Sequence, residues 1–235
     1  MMSAPQTGVT YVFHLADGRE ERVGLTFSAE SHLLEIDRDE EPEDWTRLGF
    51  QICSHCPLDV AVHPRCPFAA GLQGVVRRFE AFYSYEMTVV EVVTDQRTVV
   101  ANRSLQEAIA SIVGLIGATS GCPHLAFFRP MARFHLPFAT EQETLVRAFS
   151  MHLLAEYLRQ GGEGSATLSF DGLEASYHAV AEVNQGMAER IRGAFTKDAA
   201  VNAIIILDTF VQAVPFVVHE AMRELRPLFV ITPEQ

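Results

Sequence analysis

Apolar and polar residues alternate along the first hundred positions of the chain and then change to the period of a helix. Val9 to Ala16 and Glu20 to Phe27 each alternate with period two around Asp17-Gly18, which predicts a β-hairpin. His32 to Ile36 reads as a third strand. Glu86 to Thr94 is rich in β-branched residues, and with Arg97 to Ala101 across Asp95-Gln96 it predicts a second hairpin.

From Ser104 onward the signals are helical. Ser104 and Glu107 have the spacing of a capping box ahead of the stripe Leu105, Ala108, Ile109, Ile112, Val113, Ile116. Thr140 and Glu143 repeat the device ahead of Val146, Phe149, Leu153 and Tyr157, and Gly161-Gly162 stops that helix. Asp171 and Glu174 open another, whose apolar seam is Leu173, Tyr177, Val180, Asn184, Met187 and Ile191. Further helices are expected from Asp198 and from Pro215. Strands followed by helices predict an α+β fold: an N-terminal antiparallel sheet region, then a C-terminal antiparallel helical bundle. The division is sheet-rich 1–101 and helical 102–235, within one integrated domain over 1–235.

Composition narrows the function classes. A formal net charge of −12 argues against nucleic acid, which needs a cationic face. Eleven acidic residues against four arginines in positions 1–50 account for −7 of it, and the run Asp37 to Asp44 reads as a solvated loop. The longest apolar stretch, Ile109 to Ala118, is far short of the ~20 residues that span a bilayer. The first residues lack a basic flank and an apolar core, so no secretory signal is expected. The expectation is a cytoplasmic protein without a membrane partner, with a protein partner or homo-oligomer contact through the helical region.

Four cysteines carry the candidate chemistry. Cys53 and Cys56 form a C-x2-C pair, nine residues lie between Cys56 and Cys66, and fifty-five between Cys66 and Cys122. Two intervening residues let one backbone turn aim both sulfurs at a point, which is half of a tetrahedral Cys₄ site. In a reducing compartment two structural disulfides are disfavoured. Zinc bound by Cys53, Cys56, Cys66 and Cys122 is the first expectation, with His124 as a substitute ligand and an iron–sulfur cluster as the alternative cofactor. Proline follows Cys56, Cys66 and Cys122, a dipeptide familiar at cluster ligands. Unliganded redox thiols and unrelated buried cysteines stay open. A redox C-x-x-C normally caps a helix, and the residues after Cys56 are too short and β-branched a run to form one.

The segment Arg129 to Pro137 leads into the helix at Thr140. It reads as a packed connector whose arginines pair with Glu141 and Glu143, and His135 is its most available general base. No nucleotide-binding or hydrolase motif is present. Two functions remain. One is a metal-stapled binding or assembly protein. The other is an enzyme: an iron–sulfur or redox thiol protein, or a metal-assisted hydrolase using His135.

Cys53-x2-Cys56-Pro57-Leu58, Cys66-Pro67, Ser120-Gly121-Cys122-Pro123 and Phe134-His135-Leu136-Pro137-Phe138-Ala139 together resemble a bacterial family of unknown function. The resemblance covers the chain from about Phe50 onward and implies no activity, cofactor or partner.

Overall fold

β1 (Thr7–His14) lies between β2 (Glu20–Phe27) and β3 (Met87–Thr94), and β4 (Thr98–Ser104) pairs with β3 to complete the sheet. The order is β2-β1-β3-β4 and every pairing is antiparallel. This computed structural model describes residues 7–36, 41–159 and 169–195, together with 201–205, 207–208, 211, 223 and 225–228. The first hairpin closes where the Leu15 N–H donates to the Arg19 carbonyl at 2.9 Å, with Gly18 at φ +85°. Glycine meets that left-handed backbone without a Cβ clash. Asp95 and Gln96 form the tip of the second hairpin, closed by the Thr94 N–H on the Arg97 carbonyl.

One face of the sheet is buried by period-two alternation: Tyr11 and Phe13 of β1, Val90 and Val92 of β3, Val23 and Leu25 of β2. It lies against two helices, α1 (Pro67–Phe79) and α2 (Leu105–Thr119); Phe13 and Phe79 meet in a tilted pair with ring centroids 4.7 Å apart. α2 begins with the expected capping box between Ser104 and Glu107. It is buried almost all round, because the sheet and α1 cover one side and later helices the other. The two helices approach at Gly71, where a Cβ would lie 2.8 Å from Ile116 Cγ2.

After α2 come a 3-10 turn (Ala126–Phe128) and the short α3 (Arg129–Arg133), then α4 (Glu141–Arg159) and α5 (Asp171–Ala194). The protein is α+β, with the antiparallel sheet N-terminal to most of the helices. All six seam residues of α5 are buried, from Leu173 to Ile191. The stop at Gly161-Gly162, the helix starts at Asp198 and Pro215, and Asp37 to Glu40 lie outside the described residues.

Four local expectations are corrected. His32 to Ile36 is not a strand: only Leu34 bridges to Phe27, and His32 sits at φ +56°, which breaks extension. That segment docks on the end of α2, with the Leu34 N–H on the Thr119 carbonyl. The sheet-rich stretch also contains α1, whose stripe Phe68, Leu72, Val75, Val76, Phe79 has helical spacing behind Pro67 in its first turn. The N-cap of α5 is Phe170, so Asp171 lies one position inside the helix. Finally, neither Arg129 nor Arg133 pairs with Glu141 or Glu143 among the described residues; Glu143 instead accepts from the Thr140 backbone N–H at 2.7 Å and its hydroxyl at 2.9 Å.

Candidate functional site

The long connection between α1 and the first hairpin, residues 41–66, is held by buried polar contacts. Gln73 of α1 is fully buried, and its side-chain amide donates to the Glu41 carbonyl and accepts from the Glu43 N–H. Glu43 in turn accepts from the Trp45 indole at 2.8 Å and pairs with Arg77, so the acidic run ends in a clamp on α1. From α5 comes Arg190, which is only 2% exposed. Its guanidinium donates to the carbonyls of Trp45 and Arg47, both at 2.6 Å, and to Gln51 at 3.2 Å. A planar fork of donors suits several carbonyls converging from one loop.

This anchored loop carries Cys53 and Cys56, whose turn is closed by the Cys56 N–H on the Cys53 carbonyl. Cys66 is the N-cap of α1, and Cys122 follows the end of α2 one residue after Gly121 at φ +91°. The structure brings these four together. All are free thiols, and all line one apolar pocket of about 20 Å³ with Leu58, Phe68, Val183, Met187 and Arg190. Among the described residues no group of three or more His, Cys, Asp and Glu side chains is arranged as it stands to hold a metal ion.

The electrostatics of the pocket pull in two directions. Burial pushes the Cys53 thiol up to about 11, and the neighbouring cysteines add to the rise. Burial also pushes Cys122 up to about 11, against backbone N–H groups of His124 and Leu125 that favour its thiolate. Arg190 acts the other way. It is a buried cation whose partners among the described residues are carbonyl dipoles, and the charges it would feel are those of Cys66, Cys53 and Cys56. A buried charge is costly unless an opposite charge answers it.

His124 reaches the rim of the same pocket, but its Nε2–H donates to the His55 carbonyl at 3.0 Å. The two imidazoles stack with centroids 4.0 Å apart, and His55 Nε2–H donates to the Ala179 carbonyl. His63 is exposed. The pair stacks the loop against α5, a role that spacing to the cysteines does not suggest.

His135 is elsewhere. It lines a second, much larger cavity of about 650 Å³ between α2, the α3 connector, the start of α4 and α5. Its Nε2 lies 2.6 Å from the Tyr11 hydroxyl, which also lies 2.9 Å from Ser111 Oγ. Burial pushes His135 down to about 4 and raises Tyr11 above its ordinary value. The imidazole is therefore neutral at neutral pH, and the Tyr11 hydroxyl joins it to Ser111 in one hydrogen-bonded relay. Sequence reading misses Tyr11 and Ser111 because their signals are those of a strand core residue and a polar residue on a core helix. The cavity itself has no sequence signature.

No helix among the described residues is long and apolar enough to cross a membrane. A family model described as a domain of unknown function, DUF6901, matches residues 9–230. No curated protein matches, and no solved structure does.

Proposed function

We propose that this chain, which belongs to the DUF6901 family, is a metal-stapled binding protein in which Cys53, Cys56, Cys66 and Cys122 hold one structural ion. The observation that carries the reading is the convergence of all four cysteines, from three separate segments, on one pocket of about 20 Å³. That volume is near the space one water occupies, so it suits a single ion and not a cluster of iron and sulfide. Zinc is therefore placed ahead of iron–sulfur. Four sulfurs close a tetrahedral shell and leave no position for a reacting water, which makes the site a staple and not a catalytic centre.

The buried Arg190 supports the same reading. Four thiolates on a divalent ion carry a net negative charge, and Arg190 supplies a cation beside them without exposing it to solvent. An ion bound by these four sulfurs would supply the charge that favours the thiolates against the burial that opposes their ionisation. The redox alternative has the raised thiols against it, since a group near 11 is protonated at neutral pH and a poor nucleophile.

The test is metal analysis of the full chain purified without a histidine tag. The expected result is about one equivalent of zinc that a strong chelator removes together with part of the thermal stability. Metal-free protein whose four thiols all react rapidly in the native state overturns the proposal. Iron with acid-labile sulfide overturns the zinc assignment.

A further inference from the structure

The cavity of about 650 Å³ takes no part in the cysteine site, and it is of the size that encloses small-molecule ligands. Its wall is largely carbon, with Leu115, Phe128, Met131, Leu136, Val180 and Leu207 prominent. Charged groups are confined to its exposed rim, at Arg103, Glu107 and Glu141, and to the half-buried Arg147. Two of them are already engaged. Glu107 accepts from Ser104 in the capping box, and Arg147 donates to the carbonyls of Met131 and Phe134.

The polar groups deeper in the wall are uncharged. Ser111 and His135 belong to the Tyr11 relay, in which burial keeps the imidazole neutral. Asn184 is different. It interrupts the apolar seam of α5 at 4% exposure, lines this cavity, and its amide nitrogen has no hydrogen-bond partner among the described residues. Orphaned buried donors are rare because each costs the hydrogen bond it forgoes. An acceptor delivered into the cavity would meet that need.

We infer that the cavity binds an uncharged, predominantly apolar small molecule, of the chemical class of a long-chain ketone or ester, whose oxygen accepts a hydrogen bond from Asn184. A carboxylate is disfavoured because, among the described residues, the lining cations are Arg103 on the exposed rim and Arg147, which already donates to two carbonyls.

One residue makes the inference separable from the fold. Gly114 of α2 opens onto the cavity, and a Cβ built there has Leu207 Cδ2 as its nearest neighbour at 3.9 Å. A Cβ at 114 would meet Leu207 at ordinary van der Waals distance without overlap, and leucine is a better helix former than glycine. Gly114→Leu is thus expected to occupy part of the cavity and obstruct a ligand there while keeping or raising stability.

The experiment titrates the metal-loaded full chain with N-phenyl-1-naphthylamine, a neutral fluorophore that brightens in apolar surroundings. Dodecan-2-one and dodecanoate then compete with it. Wild-type protein is expected to bind the fluorophore and to release it to the ketone at least tenfold more readily than to the carboxylate. Gly114→Leu should weaken the fluorophore at least tenfold with an undiminished melting temperature. Asn184→Leu should weaken the ketone about tenfold and leave the fluorophore almost unchanged. Absence of fluorophore binding to wild-type protein, or equal binding to Gly114→Leu, overturns the ligand site. Tighter competition by dodecanoate overturns the uncharged class. Should Asn184→Leu fail to fold, Gly114→Leu alone decides the site and the two competitors decide the class.

Discussion

A methyl group placed on Gly186 would lie 3.0 Å from the sulfur of Cys53, closer than real side chains approach one another comfortably. Helix α5 comes this near to the C-x2-C turn only because residue 186 has no side chain. Gly186→Ala leaves all four thiols chemically intact, yet it must shift either the helix or Cys53. The expected outcome is a metal content reduced to half or less, with a loss of about 1–3 kcal/mol from overpacking. Metal analysis and urea denaturation of the variant beside the wild type check both.

The ligand assignment separates cysteine from histidine. Cys56→Ser should lose the metal and lower the melting temperature, because binding energy at a structural site is folding energy. His135→Ala should keep the metal, since His135 lines the other cavity. Loss of metal from His135→Ala with retention in Cys56→Ser would make the ligand set mixed and return the enzyme reading to the front.

Arg190→Met removes a buried donor set and leaves the carbonyls of Trp45, Arg47 and Gln51 without it. Unsatisfied buried acceptors cost about 1–3 kcal/mol each, partly relieved by water, so a total near 3 kcal/mol is expected. Urea denaturation measures it. A second readout is metal affinity, which should fall as the neighbouring cation disappears.

Met187 is 1% exposed and shares its helix face with the cysteine pocket. Met187→Ala should cost about 2–5 kcal/mol through the cavity it opens. A change below 1 kcal/mol in the denaturation midpoint analysis would mean that α5 does not pack on this seam in solution.

Stability should depend on acid through His135. An unfolded histidine takes up its proton near pH 6.5, whereas burial holds the folded one down to about 4. Between those values the unfolded chain binds more protons, so stability falls as pH drops from 6.5 toward 4 and is unaffected above. His135→Gln removes this term. Relative to the variant, the wild type should lose about 2 kcal/mol between pH 7 and pH 4.5, followed by denaturation at matched ionic strength.

What could be read in advance follows the range of the signal. Hairpins, capping boxes and the α5 seam are local patterns of a few residues, and Ser104 with Glu107 or Asp17 with Gly18 state them outright. The helix at Pro67 was equally local, but its stripe stands next to Cys66 and Pro67, residues that point attention to chemistry. The strand expected at His32 to Ile36 fails because the segment is claimed by a tertiary partner, the Thr119 carbonyl. In the candidate site, the four cysteines were legible from spacing and residue type. Arg190 was not, since a charged residue on a helix ordinarily faces water, and nothing nearby in sequence reveals the waiting carbonyls of Trp45, Arg47 and Gln51. The large cavity was illegible for a similar reason: empty space is a property of several elements together.

The bond from Arg190 to the Trp45 carbonyl joins positions 145 residues apart. During synthesis the first hairpin, α1 and the cysteine loop leave the ribosome well before the helix that secures them. At about 5–20 residues per second the loop waits roughly 7–30 s for its anchor. For the first part of that interval Cys53, Cys56 and Cys66 precede Cys122, and throughout it they precede the closing of α5. If the site takes an ion as proposed, a nascent chain of this kind would meet metal before it has a finished site, and the order of emergence, not affinity alone, would decide what is sealed inside.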